Sequence, residues 1–390
     1  MISSGIDLTT IALLQLILSV SSVIVSYPLG IMADKFNQKI LAYTSVMLLI
    51  VYHILYLKAP NFIYLFMAQI VLSISLILID IGISTWLTRE TRKLYDDAQK
   101  IDFFSHLENE IEAITGLLVS FLFIALSYLF KNFPSFYEMI YIATSLLLSS
   151  LFLLLYFVPV DKEKNPIITP LINNNRSNQP KFLIFNSIKN FYVVIFLIIS
   201  VVLWFAYQPL FHYWQPLLAS KNFNFSMGSF SFKFEDINFL LGLSFCIMNI
   251  SLYFFHKMIK NLSETKTNFY KLGMILSIIG CFLFFIICCA SNVLSAILCF
   301  SLLHGTMSCL WKIARNQFIK NYDSHNFGKV IAMSVAACRL MNIIIFYACY
   351  KFCSTIDHIK VMYYLCAMAL LITGVIFIKW NRKDKVMEIF

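Results

Sequence analysis

Charge is scarce in this sequence, and the motifs of several large enzyme classes are missing from it. Only 13% of the 390 residues are charged. No phosphate-cradling G-x-x-x-x-G-K-[ST], no G-x-S-x-G and no H-E-x-x-H occurs, so ATP hydrolysis, serine hydrolase chemistry and zinc protease chemistry have no support. The sequence therefore predicts neither an enzyme nor a bound cofactor or metal ion.

Cysteine is absent before Cys246, and none of the 10 cysteines forms a C-x-x-C pair. Most of them fall inside apolar runs. We interpret them as small buried apolar side chains rather than as disulfide partners or metal ligands.

Apolar residues are abundant: 60% of the chain is hydrophobic, 38 residues are Phe, and the mean hydropathy is +0.79. A helix that crosses a bilayer needs about 20 mostly apolar residues. Backbone polar groups in lipid must be satisfied internally, and the long continuous runs favour helices over the short alternating segments of a barrel. The sequence predicts eleven membrane spans, at about 8–30, 40–58, 62–86, 111–130, 136–158, 191–212, 236–256, 269–290, 292–311, 329–350 and 358–379.

Lys and Arg residues alternate between the connections of these spans. They are enriched after the first, third, fifth, seventh and ninth spans and in the C-terminal tail, and they are sparse elsewhere. By the positive-inside rule, the enriched side is cytoplasmic, which places the C-terminus inside and the N-terminus outside. The net charge of +10 follows from this asymmetry, so nucleic-acid binding need not be invoked.

A polar stretch at 159–190 divides the spans into two groups. It contains Asp161-Lys162-Glu163-Lys164, four prolines and three consecutive asparagines, and it has too little apolar surface to pack. We predict an N-terminal half of five spans at 1–158, a cytoplasmic linker at 159–190, a C-terminal half of six spans at 191–380 and a cytoplasmic tail at 381–390. Two open explanations fit the five-to-six division: the sequence begins one helix late, or the protein works with eleven.

The segment Gly30-x-x-x-Asp34-Lys35-x-Asn37-Gln38-Lys39 resembles the signature loop between helices 2 and 3 of the major facilitator superfamily. Phe211-His212-Tyr213-Trp214-Gln215-Pro216-Leu217-Leu218 also resembles the outer end of helix 7 in its bacterial drug-efflux-like members. The resemblance covers the chain from family helix 2 onward. It implies an all-α membrane protein with the two-half helical bundle of that family, a 12-helix fold without its first helix. Asn37 and Gln38 depart from the usual Gly and basic residue.

The residues of this motif are gating candidates. Gly30 permits close approach of a neighbouring helix, and Asp34, four residues later, shares its face and can accept hydrogen bonds from another helix N-terminus. In the family this contact stabilises the outward-facing state, and Lys35 and Lys39 add contacts or bind lipid phosphate.

Polar side chains at membrane depth are candidates for the transport pathway, because such groups are costly unless they face a cavity or a partner. Asp80 in the third span and Arg339 in the tenth form the leading pair. Gln69 shares the stripe of Asp80, and Asn342 lies three residues after Arg339. The family arrangement adds helices 7 and 10 to the cavity; helical spacing there selects Trp204, Gln208, His212, Gln215 and His304.

The resemblance predicts a secondary transporter that works by alternating access. An aromatic lining suits an amphipathic small molecule, exported in exchange for protons, with His304 or Asp80 as proton carriers. Uptake of a small polar or anionic metabolite bound by Arg339 is one alternative. A degenerate membrane sensor or partner protein is the other. We expect a multi-pass protein of the bacterial inner membrane, in contact with lipid and monomeric.

Overall fold

Long helices account for most of the described structure. The computed structural model describes residues 8–35, 38–57, 61–79, 110–111, 113–125, 144, 148–149, 190–220, 224–227, 230–233, 237–263, 269–321, 327–352 and 355–387. The helices in these ranges are α1 (Leu8–Lys35), α2 (Gln38–Tyr56), α3 (Phe62–Leu78), α4 (Ala113–Ala125), α5 (Phe191–Ala219), α6 (Ile237–Ser263), α7 (Phe269–Cys289), α8 (Val293–Asn321), α9 (Phe327–Phe352) and α10 (Ile356–Met387).

These helices coincide with ten of the eleven predicted spans. Seven of them are long and apolar enough to cross a membrane by length and composition, and α2, α3 and α4 supply shorter apolar stretches. The protein is therefore a multi-pass membrane protein. The fifth predicted span, 136–158, lies almost wholly outside the described residues, so the count of eleven stays a prediction, as does the division at 159–190.

A short hairpin follows α5. Strands β1 (Asn224–Met227) and β2 (Phe230–Lys233) pair antiparallel, with Asn224 opposite Lys233 and Met227 opposite Phe230. Both strands alternate aromatic and polar residues over part of their length, a pattern typical of a strand. The sequence analysis treated this segment only as a connection and did not predict the hairpin.

Asparagine side chains fix the starts of three helices. The backbone N–H of Ile63 donates to Asn61 Oδ1 at 3.0 Å, that of Tyr192 to Asn190 Oδ1 at 2.9 Å, and that of Ser295 to Asn292 Oδ1 at 2.8 Å. Each bond satisfies an N–H that has no partner inside its own helix. These caps set where α3, α5 and α8 leave their connecting segments.

Packing differs between the two groups of helices. α1 and α2 both pack on α3, and the three helices form two small apolar clusters. One large cluster joins α5 to α10 and also takes in Ala12 of α1. α1 packs on α9, and this contact links the N-terminal group (α1 to α4) to the C-terminal group (α5 to α10).

α7 and α10 pack closely, with α10 also against α5. Tyr363 of α10 is fully buried, and its hydroxyl donates to the carbonyl oxygen of Leu210 on α5 at 3.5 Å. The opposite faces carry exposed apolar side chains such as Phe282 at 64% and Leu365 at 51%. Such a surface is suited to lipid, where it costs nothing to expose.

Glycine permits the close approach of α7 to α10. A Cβ added at Gly273 would lie 2.9 Å from Cδ2 of Phe377, a fully buried ring that has no room to retreat. A Cβ added at Gly374 would lie 3.3 Å from Cβ of Ser277, which is a milder contact.

We expect Gly273→Ala to destabilise the purified protein by about 1–3 kcal/mol, the usual cost of overfilling a packed core. Gly374→Ala should cost less. Thermal unfolding in detergent, followed by tryptophan fluorescence, measures both. Equal melting temperatures for the two variants would contradict the packing described for Phe377.

Candidate functional site

Most hydroxyl side chains inside the helices bond to their own helix. Ser and Thr donate to the carbonyl four residues earlier, and the donors of this kind include Ser19, Ser244, Ser277, Ser301, Thr306 and Thr373. Such bonds satisfy the hydroxyl without involving a neighbouring helix. Polar side chains that bond across helices are therefore the informative ones.

Arg339 on α9 and Trp204 on α5 form the first cross-helix contact. The guanidinium carbon of Arg339 lies 5.6 Å from the centroid of the Trp204 ring, within the range of a cation–π interaction. Arg339 is 7% exposed, so its charge is held inside the bundle. Nε1 of Trp204 is buried and has no hydrogen-bond partner among the described residues. The pair thus offers a buried cation beside an indole N–H donor.

Tyr207 on α5 and His304 on α8 form the second cross-helix contact. The Tyr207 hydroxyl oxygen lies 2.8 Å from Nε2 of His304, and the hydroxyl donates or accepts according to the tautomer of the ring. His304 is 7% exposed. Its Nδ1 has no hydrogen-bond partner within the described part of the chain. The structure thus makes His304 an interhelical hydrogen bonder with one ring nitrogen still available.

Gln208 and His212 lie one turn apart on α5. Nε2 of His212 lies 3.2 Å from Oε1 of Gln208. The edge of the His212 ring meets Phe346 on α9 at 5.2 Å between centroids. His212 therefore connects the polar face of α5 to α9.

Aromatic rings surround these polar groups. Trp311 on α8 lies 6.1 Å from Trp204, and Phe211 stacks on Tyr207 at 5.9 Å between centroids. We define the central site by its six described side chains: Trp204, Tyr207, Gln208, His212, His304 and Arg339. Apolar rings with a few fixed donors and one cation are typical of a site for a small organic molecule.

The central site brings together five of the residues selected from the sequence and adds Tyr207. The role of these residues in transport stays a prediction. Tyr207 was missed because it lies one residue before Gln208, off the stripe that the sequence analysis followed. Its signal was present: it stands three residues after Trp204 and four before Phe211, on one helical face.

The other predicted pathway residues have different outcomes. Gln69 on α3 and Asn342 on α9 are buried, and Oε1 of Gln69 and Oδ1 of Asn342 have no hydrogen-bond partner among the described residues. Within the described part of the chain, neither side chain forms a hydrogen bond with the central site. Gln215 lies on α5, but its side chain is not described. Asp80 lies outside the described residues, so its pairing with Arg339 stays a prediction.

The gating candidates are placed by backbone alone. Gly30, Asp34 and Lys35 belong to the last turns of α1, and Lys39 to the first turn of α2. Their side chains are not among those described, so the proposed latch stays a prediction. Within the described residues, no group of three or more His, Cys, Asp or Glu side chains could hold a metal ion.

The N-terminal group meets the C-terminal group again where α4 crosses α6. Asn249 on α6 donates through Nδ2 to Oγ of Ser120 on α4 at 3.3 Å. A Cβ added at Gly116 of α4 would overlap the Asn249 amide, so the helices approach closely here. At one end of the crossing, Nζ of Lys260 lies 3.6 Å from Oε1 of Glu110.

Comparison with solved structures shows which fold this is. No protein-family model matches the sequence, and no curated protein matches it either. Three solved transporters superpose on almost the whole chain. A POT family transporter in complex with a thioalcohol-conjugated peptide gives a TM-score of 0.68 at 12% identity, covering 97% of this chain and 89% of its own.

The second is a bacterial homologue of the iron transporter ferroportin in an outward-facing state, with a TM-score of 0.63 at 15% identity, covering 95% of this chain and 90% of its own. The third is the E. coli fucose:proton symporter, with a TM-score of 0.57 at 12% identity and coverage of 95% and 94%. The chain has the helical fold of these transporters, as the resemblance of the Gly30 to Lys39 motif implied. Identities this low show the fold alone, and the number of spans stays a prediction.

We expect Tyr207→Phe to destabilise the folded protein by about 1–3 kcal/mol, because the substitution leaves buried Nε2 of His304 without the hydroxyl of Tyr207. Tyr347→Phe is the matched control, since Tyr347 on α9 is 54% exposed and should change stability by less than about 0.5 kcal/mol. Thermal unfolding in detergent measures both.

A double variant, Tyr207→Phe with His304→Leu, should recover part of the loss because both polar partners are then gone. Additive losses in the double variant would show that the two side chains are not coupled.

Proposed function

We propose that this protein is a secondary transporter that moves an amphipathic organic molecule by alternating access. The observation that carries the proposal is Arg339, a buried cation held over the Trp204 ring in the interior of a transporter fold. An Arg at the centre of a membrane helix costs roughly 2.5–3.5 kcal/mol on insertion scales. Binding of a substrate to this charge would explain why an Arg is present at this position despite its cost.

The composition of the C-terminal group supports a substrate with an acidic or hydrogen-bond-accepting group. Helices α5 to α9 contain no Asp or Glu in their sequence, and the two acids of α10, Asp357 and Asp384, lie near its ends. Arg339 and the indole N–H of Trp204 both donate hydrogen bonds and accept none. The surrounding rings would contact the apolar part of the molecule.

The contacts between the two groups of helices support alternating access. Among the described residues of the α4–α6 crossing, these contacts include a neutral hydrogen bond and an ion pair whose side chains are 24% and 32% exposed. A partly exposed ion pair contributes about 0–1 kcal/mol and a neutral hydrogen bond about 0.5–1.5 kcal/mol. Contacts of this size can break and form again as the groups move past each other.

Proton coupling and export are the finer parts of the proposal. His304 supports proton coupling because Nδ1 lacks a partner among the described residues while Tyr207 holds Nε2. Asp80, outside the described residues, is the other candidate. The Lys and Arg pattern supports a bacterial inner-membrane orientation with the C-terminus in the cytoplasm, and we propose that the protein works as a monomer.

Uptake of a small polar or anionic metabolite is the second candidate function. The specific observation in its favour is the same Arg339 charge, which would bind a carboxylate directly through a charge-assisted hydrogen bond. The two candidate functions differ in the direction of substrate transport. Transport assays with vesicles that carry substrate on one side only distinguish export from uptake.

We expect Arg339→Gln to reduce transport of an aromatic carboxylate such as benzoate about tenfold to hundredfold, the equivalent of one charge-assisted hydrogen bond. Proteoliposomes with an internal pH dye report substrate and proton movement together. Lys351→Gln is the matched control: Lys351 lies on the same helix, exposed, with Nζ 5.5 Å from the Tyr350 ring centroid. It should transport like the unmodified protein.

Proton movement that depends on substrate would support coupled transport. Equal losses in Arg339→Gln and Lys351→Gln would remove Arg339 from the pathway. Absence of transport across a panel of aromatic carboxylates, amines and sugars would favour the degenerate membrane sensor instead.

We expect Glu110→Lys to loosen the α4–α6 crossing through repulsion from Lys260. The rate of amide hydrogen exchange in the last turn of α6 should rise by up to about fivefold, because the ion pair stabilises the crossing by no more than about 1 kcal/mol. The charge-swapped double variant, Glu110→Lys with Lys260→Glu, should restore slow exchange.

Asp357→Asn is the control for this experiment, because Asp357 and Lys360 form an exposed pair within α10 at 2.8 Å. It should leave exchange in α6 unchanged. If the charge swap failed to restore protection, the ion pair would have no part in holding the two groups together.

A further inference from the structure

The exposed face of α10 is apolar along its membrane span. Its members recur at helical spacing and are each between 36% and 56% exposed: Val361, Leu365, Met368, Ile372, Val375 and Ile378. Residues three and four apart lie on one side of a helix. These side chains therefore form a continuous stripe. We call it the lipid stripe, because an apolar face turned away from the other helices of a membrane bundle contacts hydrocarbon.

Three cations continue the lipid stripe at the end of α10. They are Lys379, Arg382 and Lys383, which follow Val375, Ile378 and Lys379 by four residues each. At 3.6 residues per turn, these cations lie on the side of the lipid stripe, whereas Asp384 lies on the opposite side of the helix. We call the three cations the basic end of α10.

The basic end lies at the depth of lipid headgroups. The apolar span of α10 ends at Asn381, and the helix continues to Met387. From Lys379 to Lys383 the helix rises about 6 Å, which is close to the thickness of about 5–8 Å that headgroups add on each side of the hydrocarbon. The Lys and Arg pattern assigns this end of the helix to the cytoplasm.

No acid on α10 is spaced to pair with the basic end. The positions three and four residues from Lys379, Arg382 and Lys383 hold only apolar or basic residues. Like charges at this spacing repel each other and destabilise a helix. Lys379 is exposed, and it forms no hydrogen bond or ion pair with another described residue. An anion supplied from outside the helix would lower this repulsion.

The exposed face of α7 borders the lipid stripe. Phe285 on α7 and Tyr364 on α10 are 39% and 36% exposed, and their ring centroids lie 5.3 Å apart. At the other end of the two helices, the ring centroid of Tyr270 on α7 lies 5.7 Å from that of Trp380 on α10. One lipid molecule can therefore lie along both helices with its headgroup beside the basic end.

Buried rings hold the basic end in a fixed position. Trp380 is fully buried, and Phe377 stacks on it at 6.4 Å between ring centroids. Gly273 on α7 leaves the space that the Phe377 ring fills, since an added Cβ would lie 2.9 Å from that ring. Trp and Tyr are enriched where a membrane protein meets the headgroup layer. Lys379 directly precedes Trp380, so its backbone is held at the bilayer surface.

We propose that the basic end of α10 binds the phosphate group of an anionic phospholipid such as phosphatidylglycerol. Lys379, Arg382 and Lys383 donate hydrogen bonds to phosphate oxygens, and the acyl chains lie on the lipid stripe and on the exposed face of α7. A lipid fits better than a soluble anion, because the cations directly follow a surface suited to hydrocarbon. This site goes beyond the proposed function, and binding to it requires no transport.

The test counts the lipids bound to the full chain purified in detergent. Native mass spectrometry compares dioleoyl-phosphatidylglycerol with dioleoyl-phosphatidylcholine, which have the same acyl chains and differ in headgroup charge. Each cation near an anionic lipid contributes about fivefold in affinity, so three cations should give phosphatidylglycerol a preference of about a hundredfold. Glycerol 3-phosphate at the same concentration should not displace the lipid, because it lacks the acyl chains.

A double variant and its charge-matched control decide the assignment. Lys379→Gln with Lys383→Gln should lower the preference about thirtyfold, by a factor of about five for each cation lost. Lys257→Gln with Lys351→Gln removes the same charge from exposed lysines of α6 and α9, and it should keep the preference. Lys379→Arg with Lys383→Arg should also keep it, because arginine binds phosphate as well.

Circular dichroism and size-exclusion profiles check that each variant folds. Lys379→Gln alone, which should lower the preference about fivefold, carries the test if the double variant does not fold. Equal binding of the two lipids by the unmodified protein would overturn the proposal, as would an unchanged preference in Lys379→Gln with Lys383→Gln. Loss of the preference in Lys257→Gln with Lys351→Gln, or displacement of the lipid by glycerol 3-phosphate, would overturn it too.

Discussion

Hydrocarbon offers no hydrogen bonds, and this constraint decides where each polar side chain of the protein can lie. Most hydroxyls inside the helices donate a hydrogen bond to a backbone carbonyl of the preceding turn. Ser244 donates to the carbonyl oxygen of Leu240, and Thr373 donates to that of Ala369. They leave the helix surface apolar. A few polar side chains, such as Tyr207 and Asn249, bond to a neighbouring helix instead. These positions are polar for a reason other than a hydrogen bond within their own helix.

The buried charge in the described C-terminal group has one sign. Arg339 is covered by an aromatic face, and Lys312 is placed against an imidazole. The face of an aromatic ring attracts a cation through the ring quadrupole. Both cations are thus placed against a ring of another helix.

Sequence periodicity predicted the helices and much of the central site, because positions such as Trp204, Gln208 and His212 recur with the turn of a single helix. The periodicity could not predict which side chains of different helices contact each other. His256 meets Lys312, 56 residues later, only because α6 and α8 pack side by side, and nothing local to either segment specifies that neighbour. The sequence analysis missed Tyr207 because this residue lies one position away from the stripe of α5 residues that the analysis followed. The hairpin at Asn224–Lys233 was missed because its alternation is only a few residues long.

The α4–α6 crossing has a mechanical consequence. Gly116 lets α4 approach Asn249 near the middle of α6, so this point can serve as a fulcrum. Lys260 lies eleven residues beyond Asn249, about 16 Å along the axis. A rotation of about 15° about the crossing would move that end by about 4 Å, enough to part it from Glu110. A small change of angle at the fulcrum would thus open one mouth of the bundle while its centre stayed in contact.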